Sequence, residues 1–238
     1  MSDLLNLATD PQQYDKLDDE WLKLGNQSGP WGDLIKEALD GPLGDLNGKS
    51  VLDVGCGTGW FSEQAFRHSA KSYLGLDPSK QNYKVAKSTY PKAKFENATF
   101  EEFVSQQKFD LVAFIMSTEH VKDLKGMFEK LINILSDEGR ALILAGDYTY
   151  FITPTFNREI IAEKMNSFET VVHTRRPKSV DTVDIIRKKT GFIKVARQAG
   201  FTKISHQPVK PSVSFLEAKP KYKVHRSKPI FQLYELSR

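Results

Sequence analysis

From residue 49 onward, short apolar runs alternate with amphipathic segments whose apolar positions recur every three or four residues. The apolar runs predict strands over 50–54, 72–76, 109–115 and 140–145, with a weaker one over 93–97. Between them, helices are predicted over 60–68, 79–89 and 124–135, and a short one over 101–106. The third of these has the clearest helical spacing, with Leu124, Met127, Phe128, Leu131, Ile132 and Leu135 on one face. Strands that alternate with helices join through right-handed crossovers, which gives a doubly wound α/β fold: a mostly parallel sheet with helices on both faces.

The flanks have a different rhythm. Thr9-Asp10-Pro11 reads as a helix start leading to a stop near Gly25, and a second short helix is expected over 33–39, ended by Asp40-Gly41-Pro42. Beyond Gly146 the pattern breaks into a helix over 157–166 and an extended segment, FETVVHTRRP, before a helix over 192–199 that Gly200 stops. A strand in FTKISHQPV and a final strand in PIFQLYEL have only a basic, proline-punctuated connection between them, so they are expected to pair as an antiparallel closing hairpin. The expected organisation is an N-terminal helical cap over 1–48, an α/β core over 49–146, an insertion over 147–190, and a helix with hairpin over 191–238. Insertions at such points commonly carry specificity.

Composition narrows the class. With 238 residues, 39% hydrophobic and 27% charged, the chain has enough apolar material for one large core and too much charge for a membrane protein. No run approaches the ~18–20 apolar residues of a membrane span. The first residues lack the basic start, apolar stretch and cleavage site of a secretory signal, which predicts a cytoplasmic protein. Cys56 is the sole cysteine, so an intramolecular disulfide and a cysteine-rich zinc site are both excluded. The net charge of +4 is concentrated toward the C-terminal third. A solvated basic surface, attraction to an anionic substrate and nucleic-acid binding each account for it.

The chemistry-bearing motif is KSVLDVGCGTGWF. Its glycines fall at Gly55, Gly57 and Gly59, one residue tighter than a dinucleotide fingerprint, and no Lys-Ser/Thr pair follows as a phosphate loop requires. In an open α/β sheet such a loop lies at the ligand crevice outside the carboxyl ends of the strands. Asp53, two residues before it, would repel a pyrophosphate but suits an ammonium group. Asp77 ends the next strand, where a carboxylate accepts hydrogen bonds from ribose hydroxyls. The ligand thus combines a ribose with an amino-bearing arm and lacks phosphate, which S-adenosylmethionine satisfies.

VLDVGCGTG and LGLDPS resemble the first two motifs of class I S-adenosylmethionine-dependent methyltransferases, FENATFEEF the third and FDLVAFIMSTEHVKDL the fourth. The resemblance implies a seven-stranded sheet whose last strand runs antiparallel between the fifth and sixth. It also implies a cofactor site at Asp53, Gly55, Cys56, Gly57, Gly59, Asp77, Pro78 and Ile115, with adenine contacts at Thr99 and Phe100, or at Asn97 instead. Cys56 is read as a small packing residue of that loop.

The family leaves the acceptor open. The tetrapeptide of nucleobase amino-methylation is absent after the fourth strand; STEHV stands there and is similar to the Glu-His of ubiquinone-biosynthesis O-methyltransferases. Glu119 and His120 are therefore candidates for acid/base or metal-assisted deprotonation of a hydroxyl, or alternatively caps of the next helix that line the cofactor pocket, and His173 is a further candidate. Tyr14 and Trp21, seven residues apart, either close over the donor or pin their helix; Tyr148, Tyr150, Arg175 and Arg176 are candidate substrate contacts. The expected function is methyl transfer to O or N of a small metabolite, an anionic one being one form of that reading. An RNA or protein methyltransferase and a non-catalytic cofactor-binding scaffold are the alternatives. No metal ligands are assigned and no membrane partner is expected; whether a general base or a metal acts, and the oligomeric state, are left open.

Overall fold

The run Ser50–Val54 forms β1, and every residue after Ser50 is buried, as a strand covered on both faces requires. The computed structural model describes residues 3–10, 13–16, 28–155, 158–176 and 181–238. Before β1 come α1 (Asp3–Ala8), a 3-10 turn (Gln13–Lys16) and α2 (Gly29–Leu43). After it come α3 (Phe61–Arg67), β2 (Ser72–Leu76), α4 (Lys80–Thr89), β3 (Lys94–Glu96), β4 (Phe109–Ile115), α5 (Leu124–Ile134) and β5 (Leu135–Gly146). A short α6 (Tyr148–Phe151) leads into β6 (Glu159–Lys164), β7 (Glu169–Arg175) and β8 (Thr182–Arg187). The chain closes with α7 (Lys189–Gln198), β9 (Lys203–Val209), α8 (Val213–Ala218) and β10 (Phe231–Ser237).

The main sheet has seven strands in the order β3-β2-β1-β4-β5-β10-β9. β10 runs antiparallel to both neighbours, pairing Leu233 with Leu144 on one side and with Gln207 on the other. The closing hairpin is thus where the resemblance implied, with the last strand between the fifth and sixth of the sheet. Two apolar layers flank it. Leu52, Val112, Phe114 and Ile143 pack on Phe128, Leu131 and Phe192, while Val51, Leu111 and Leu142 pack on Ile35, Leu39 and Phe61. The order reverses between β1 and β4, so the crevice opens at their carboxyl ends.

The insertion is a second sheet of three antiparallel strands, β6-β7-β8, where the sequence suggested a helix over 157–166. Ile160 and Ile161 are β-branched, and the carboxamide oxygen of Asn166 accepts the N–H groups of Phe168 and Glu169, which closes a hairpin instead. β8 had no counterpart in the sequence reading. Its inner face, with Val183 and Ile185, packs with Val171 against Leu5 and Ala8 of α1. Thr9 and Asp10 end α1, the Thr9 hydroxyl donating back to the carbonyl of Leu5, and the Asp10 carbonyl in turn accepts the Gln13 N–H where the 3-10 turn begins. The rest of the expected N-terminal helix, from residue 17, lies outside the described residues. The short helix expected over 101–106 is an irregular turn, because the Ser105 hydroxyl bonds the backbone of Gln107 in competition with a helical turn.

Arg187 fastens the small sheet to the large one. Its buried guanidinium pairs with Glu169 at 2.7 Å and donates to the carbonyls of Thr118 and Val121, in the loop after β4. Removing one partner of a buried ion pair leaves the other uncompensated and typically costs about 3–5 kcal/mol. Arg187→Leu is therefore expected to lower unfolding free energy in a urea titration by about that amount; a loss within the ~0.5 kcal/mol of ordinary surface changes would contradict this role.

Candidate functional site

At the carboxyl ends of β1 and β2 the chain turns through three left-handed glycines: Gly55 (φ 71°), Gly57 (φ 54°) and Gly59 (φ 85°). They do different work. A methyl group on Gly55 would lie 2.5 Å from Cβ of Ser117, and one on Gly59 would strike Phe95 at 2.8 Å, so both positions serve close packing. Gly57 would meet nothing within 4 Å and lines an open cavity. Its N–H donates to Asp77 Oδ2 at 2.8 Å, while Oδ1 of the same carboxylate accepts the Ser79 N–H at 3.0 Å. The Asn97 carboxamide donates to the carbonyls of Asp77 and Pro78, holding that turn from outside.

The cavity holds about 1030 Å³ and runs from this loop to the insertion. Gly55, Cys56, Asp77, Pro78, Thr99 and Phe100 line the loop end, and Ile115, Glu119 and His120 its middle. Glu119 is buried, and one carboxylate oxygen accepts the Gly146 N–H at 2.7 Å; burial raises its pKa against that bond. The Nε2 of His120 lies 2.6 Å from the Tyr14 hydroxyl, and its Nδ1 lies 3.0 Å from the carbonyl of Ala8. An imidazole with its proton on Nδ1 donates to that carbonyl and accepts the Tyr14 O–H at Nε2. Asp184 on β8 lies 3.8 Å from the same Nε2. Burial first, then Asp184, Glu119 and Asp77, push the Tyr14 hydroxyl well above its ordinary pKa, so it keeps its proton at neutral pH. Asp15, one residue on, accepts the Ser79 hydroxyl at 2.6 Å, so the 3-10 turn bridges the glycine-loop side and the centre of the cavity.

A family model described as "Methyltransferase domain" matches residues 24–206. The chain belongs to the class I S-adenosylmethionine-dependent methyltransferases. It is 31% identical over 105 residues to a ubiquinone biosynthesis O-methyltransferase of Bradyrhizobium diazoefficiens, covering 42% of this chain and 41% of that one. With the enzyme of the same name from Neisseria meningitidis it shares 26% over 136 residues, or 53% of this chain and 57% of that one. These matches span roughly two to three fifths of the relatives' own length. In fold, an S-adenosylmethionine-dependent methyltransferase from Mesorhizobium loti superposes with a TM-score of 0.70 at 22% identity, covering 88% of this chain and 100% of that one.

The methyltransferase's cofactor is S-adenosylmethionine, and the residues present suit it. Gly57 leaves room at the loop, and Asp77 presents a carboxylate to the cavity. Asp53 itself does not line the cavity as the sequence suggested. Strand alternation puts it on the face of Val51, under the loop, where it accepts the Tyr73 hydroxyl at 2.5 Å. Gly59 is likewise a packing position outside the cavity wall.

Among the expected substrate residues, Tyr14, Tyr150 and Arg176 line the cavity and Trp21 lies outside the described residues. Tyr148 turns away: two residues apart on α6, it and Tyr150 face opposite sides, and its hydroxyl bonds Thr170 at 2.9 Å. Arg175 is exposed at the end of β7. His173 is outside the cavity wall, 3.2 Å from Asp181, so it is no candidate base. Sequence reasoning missed Asp184, on a strand it did not predict, and Arg158, in the bridge just before β6. It also missed Met116, a left-handed residue (φ 57°) at the end of β4 whose place in the motif gave no signal.

Burial pushes the Asp53 carboxyl up to about 7 against the Tyr73 hydrogen bond. It pushes Asp77 up to about 6 against bonds from Gly57, Ser79 and Asn82. Both start from 3.8, so between that pH and the folded values the native chain holds protons that the unfolded chain releases. Their contribution to stability is therefore complete below about pH 4 and is lost as pH rises through 6 to 7. Urea titrations of the cofactor-free protein at pH 5 and pH 8 are expected to show a smaller decline for Asp53→Asn than for wild type; an equal decline would place the effect elsewhere. A second expectation separates the glycines. Gly55→Ala and Gly57→Ala each incur about 1–2 kcal/mol for left-handed backbone, but Gly55→Ala also meets Ser117. The first should lose more thermal stability, while Gly57→Ala should lose affinity for S-adenosylhomocysteine. The reverse ranking would contradict the assignment.

Proposed function

We propose that the protein transfers the methyl group of S-adenosylmethionine to an oxygen or nitrogen of a small metabolite, a hydroxyl oxygen being favoured. The observation that carries this is the Tyr14 hydroxyl held 2.6 Å from His120 Nε2 in the cavity wall, between the glycine loop and the insertion. The cavity, about 1030 Å³, lies at the upper end of the ~300–1,000 Å³ of small-molecule pockets and extends from the glycine loop to the insertion, which gives an acceptor space beyond the loop end. The relatives named as O-methyltransferases support oxygen as the acceptor atom.

The cofactor supplies an electrophilic methyl carbon on a sulfonium, so the chain's tasks are alignment, exclusion of water and removal of one proton. With cofactor and acceptor bound, the acceptor's proton would pass to the Tyr14 oxygen while the Tyr14 proton passes to His120 Nε2. The Ala8 carbonyl holds the Nδ1 proton in place, and Asp184 lies 3.8 Å from the Nε2 that receives the proton. Glu119 is committed to the Gly146 N–H and positions the turn that carries His120.

General-base catalysis is typically worth about 10²–10⁴-fold. His120→Ala is expected to lower kcat by a factor in that range, and Tyr14→Phe to lower it by a comparable factor, with binding of S-adenosylhomocysteine retained. Assays with radiolabelled S-adenosylmethionine and a panel of phenols, amines and hydroxy acids test this. Full turnover in both variants would remove the proton relay, and the absence of transfer to any small molecule by a cofactor-binding protein would remove the reading itself.

A further inference from the structure

The cavity is polarised along its length. Its loop end carries Asp77, with Asp53 beneath; the end under the insertion carries Arg158, Arg176, Lys219 and Lys221. Asp184 is a carboxylate that faces these cations, and it also sits beside His120 and accepts the Thr182 hydroxyl, while Asp181 accepts the Arg176 N–H at 3.3 Å. The cationic end is walled by aromatic rings: Trp31 meets Tyr222 edge to face at 5.4 Å and Phe231 at 6.2 Å.

Arg158 is the best-defined of the four. Its guanidinium stacks over the Tyr150 ring at 4.5 Å and beside Phe151 at 5.5 Å. One terminal nitrogen, Nη2, donates to the carbonyls of Tyr150 (2.8 Å) and Thr153 (3.1 Å), which fixes the plane of the group. Its Nε is buried without a hydrogen-bond partner among the described residues. A buried donor left unmatched is costly, and the group is already disfavoured as a cation, by burial first and also by Arg176 nearby. An oxyanion between the two arginines offsets the repulsion between them, and a guanidinium whose plane is fixed by two carbonyls on Nη2 holds Nη1 as an oriented, charged donor for such a group.

We propose that this end of the cavity is an anion-binding subsite in which Arg158 and Arg176 hold an oxyanion, carboxylate or phosphate monoester, carried on a planar ring that packs among Trp31, Tyr150 and Tyr222. The subsite rests on the methyl-transfer reading above and gives that reading its acceptor class: an aromatic acid whose anionic group is held away from the reacting oxygen. Lys219 and Lys221, on the connection before β10, add positive potential to this end.

The test uses full-length protein saturated with S-adenosylhomocysteine, titrated calorimetrically with 4-hydroxybenzoate, phenyl phosphate and the neutral 4-hydroxybenzamide. At least one of the two anions is expected to bind about tenfold or more tighter than the amide, as loss of a charge-assisted pair implies. The carboxylate and phosphate arms decide which source the site takes. Arg158→Gln and Arg176→Gln should each abolish that preference, and Arg67→Gln, on the exposed surface, should keep it. Equal binding of anions and amide, no binding of any of them, or a preference that survives both arginine variants would overturn the subsite. Titration of the same samples with S-adenosylhomocysteine reads the other end: failure there would count against the methyl-transfer reading, whereas intact binding there with no anion preference would sink the subsite alone.

Discussion

The arrangement depends on two carboxylates buried at the carboxyl ends of adjacent parallel strands without an ion-pair partner among the described residues. Asp53 and Asp77 are 1% and 6% exposed, and hydrogen bonds from Tyr73, Gly57, Ser79 and Asn82 stand in for water. Charge held in this way is expensive, and Asp77, which lines the cavity, is the one of the two placed to meet a ligand. The glycine loop is shaped around that requirement: its first and third glycines let backbone and side chains close in, and its second leaves the space.

From that end the rest of the molecule can be read as a gradient of polarity. Carboxylates lie at the glycine loop, a tyrosine–histidine pair at the centre, and cations among aromatic rings at the insertion. Each zone comes from a different structural layer. The main sheet supplies the first, the loop after β4 and the N-terminal turn jointly supply the second, and the small sheet with the connection before β10 supplies the third. Arg187 matters because it ties the third layer to the loop that carries His120.

How much of this was legible in the sequence follows from how local each signal is. The strands around VLDVGCGTG and FDLVAFI were read to the residue, since buried parallel strands are continuous apolar runs bounded by turn residues. The hairpin of β9 and β10 followed from the missing crossover helix. The insertion was misread because β6 is an edge strand with mostly exposed residues, so EIIAEK has no inside face to advertise. Arg158 was hidden with it. Tyr14 and His120 were each singled out, but their contact joins residues 106 apart in sequence through a turn whose conformation only the packing of α1 on β7 and β8 determines. Tyr148 and Asp53 were placed by motif position alone, and one residue of rotation or alternation turned each away from the cavity.

The central claim is that the loop end of the cavity is built for a ribose-bearing, phosphate-free cation and its product. Calorimetric titration of wild-type protein with S-adenosylhomocysteine, beside NAD, tests it most directly. The account predicts saturable binding of the former with a dissociation constant on the order of micromolar, about 8 kcal/mol, and no heat with the latter. Binding of NAD, or silence from a folded sample toward both, would contradict it.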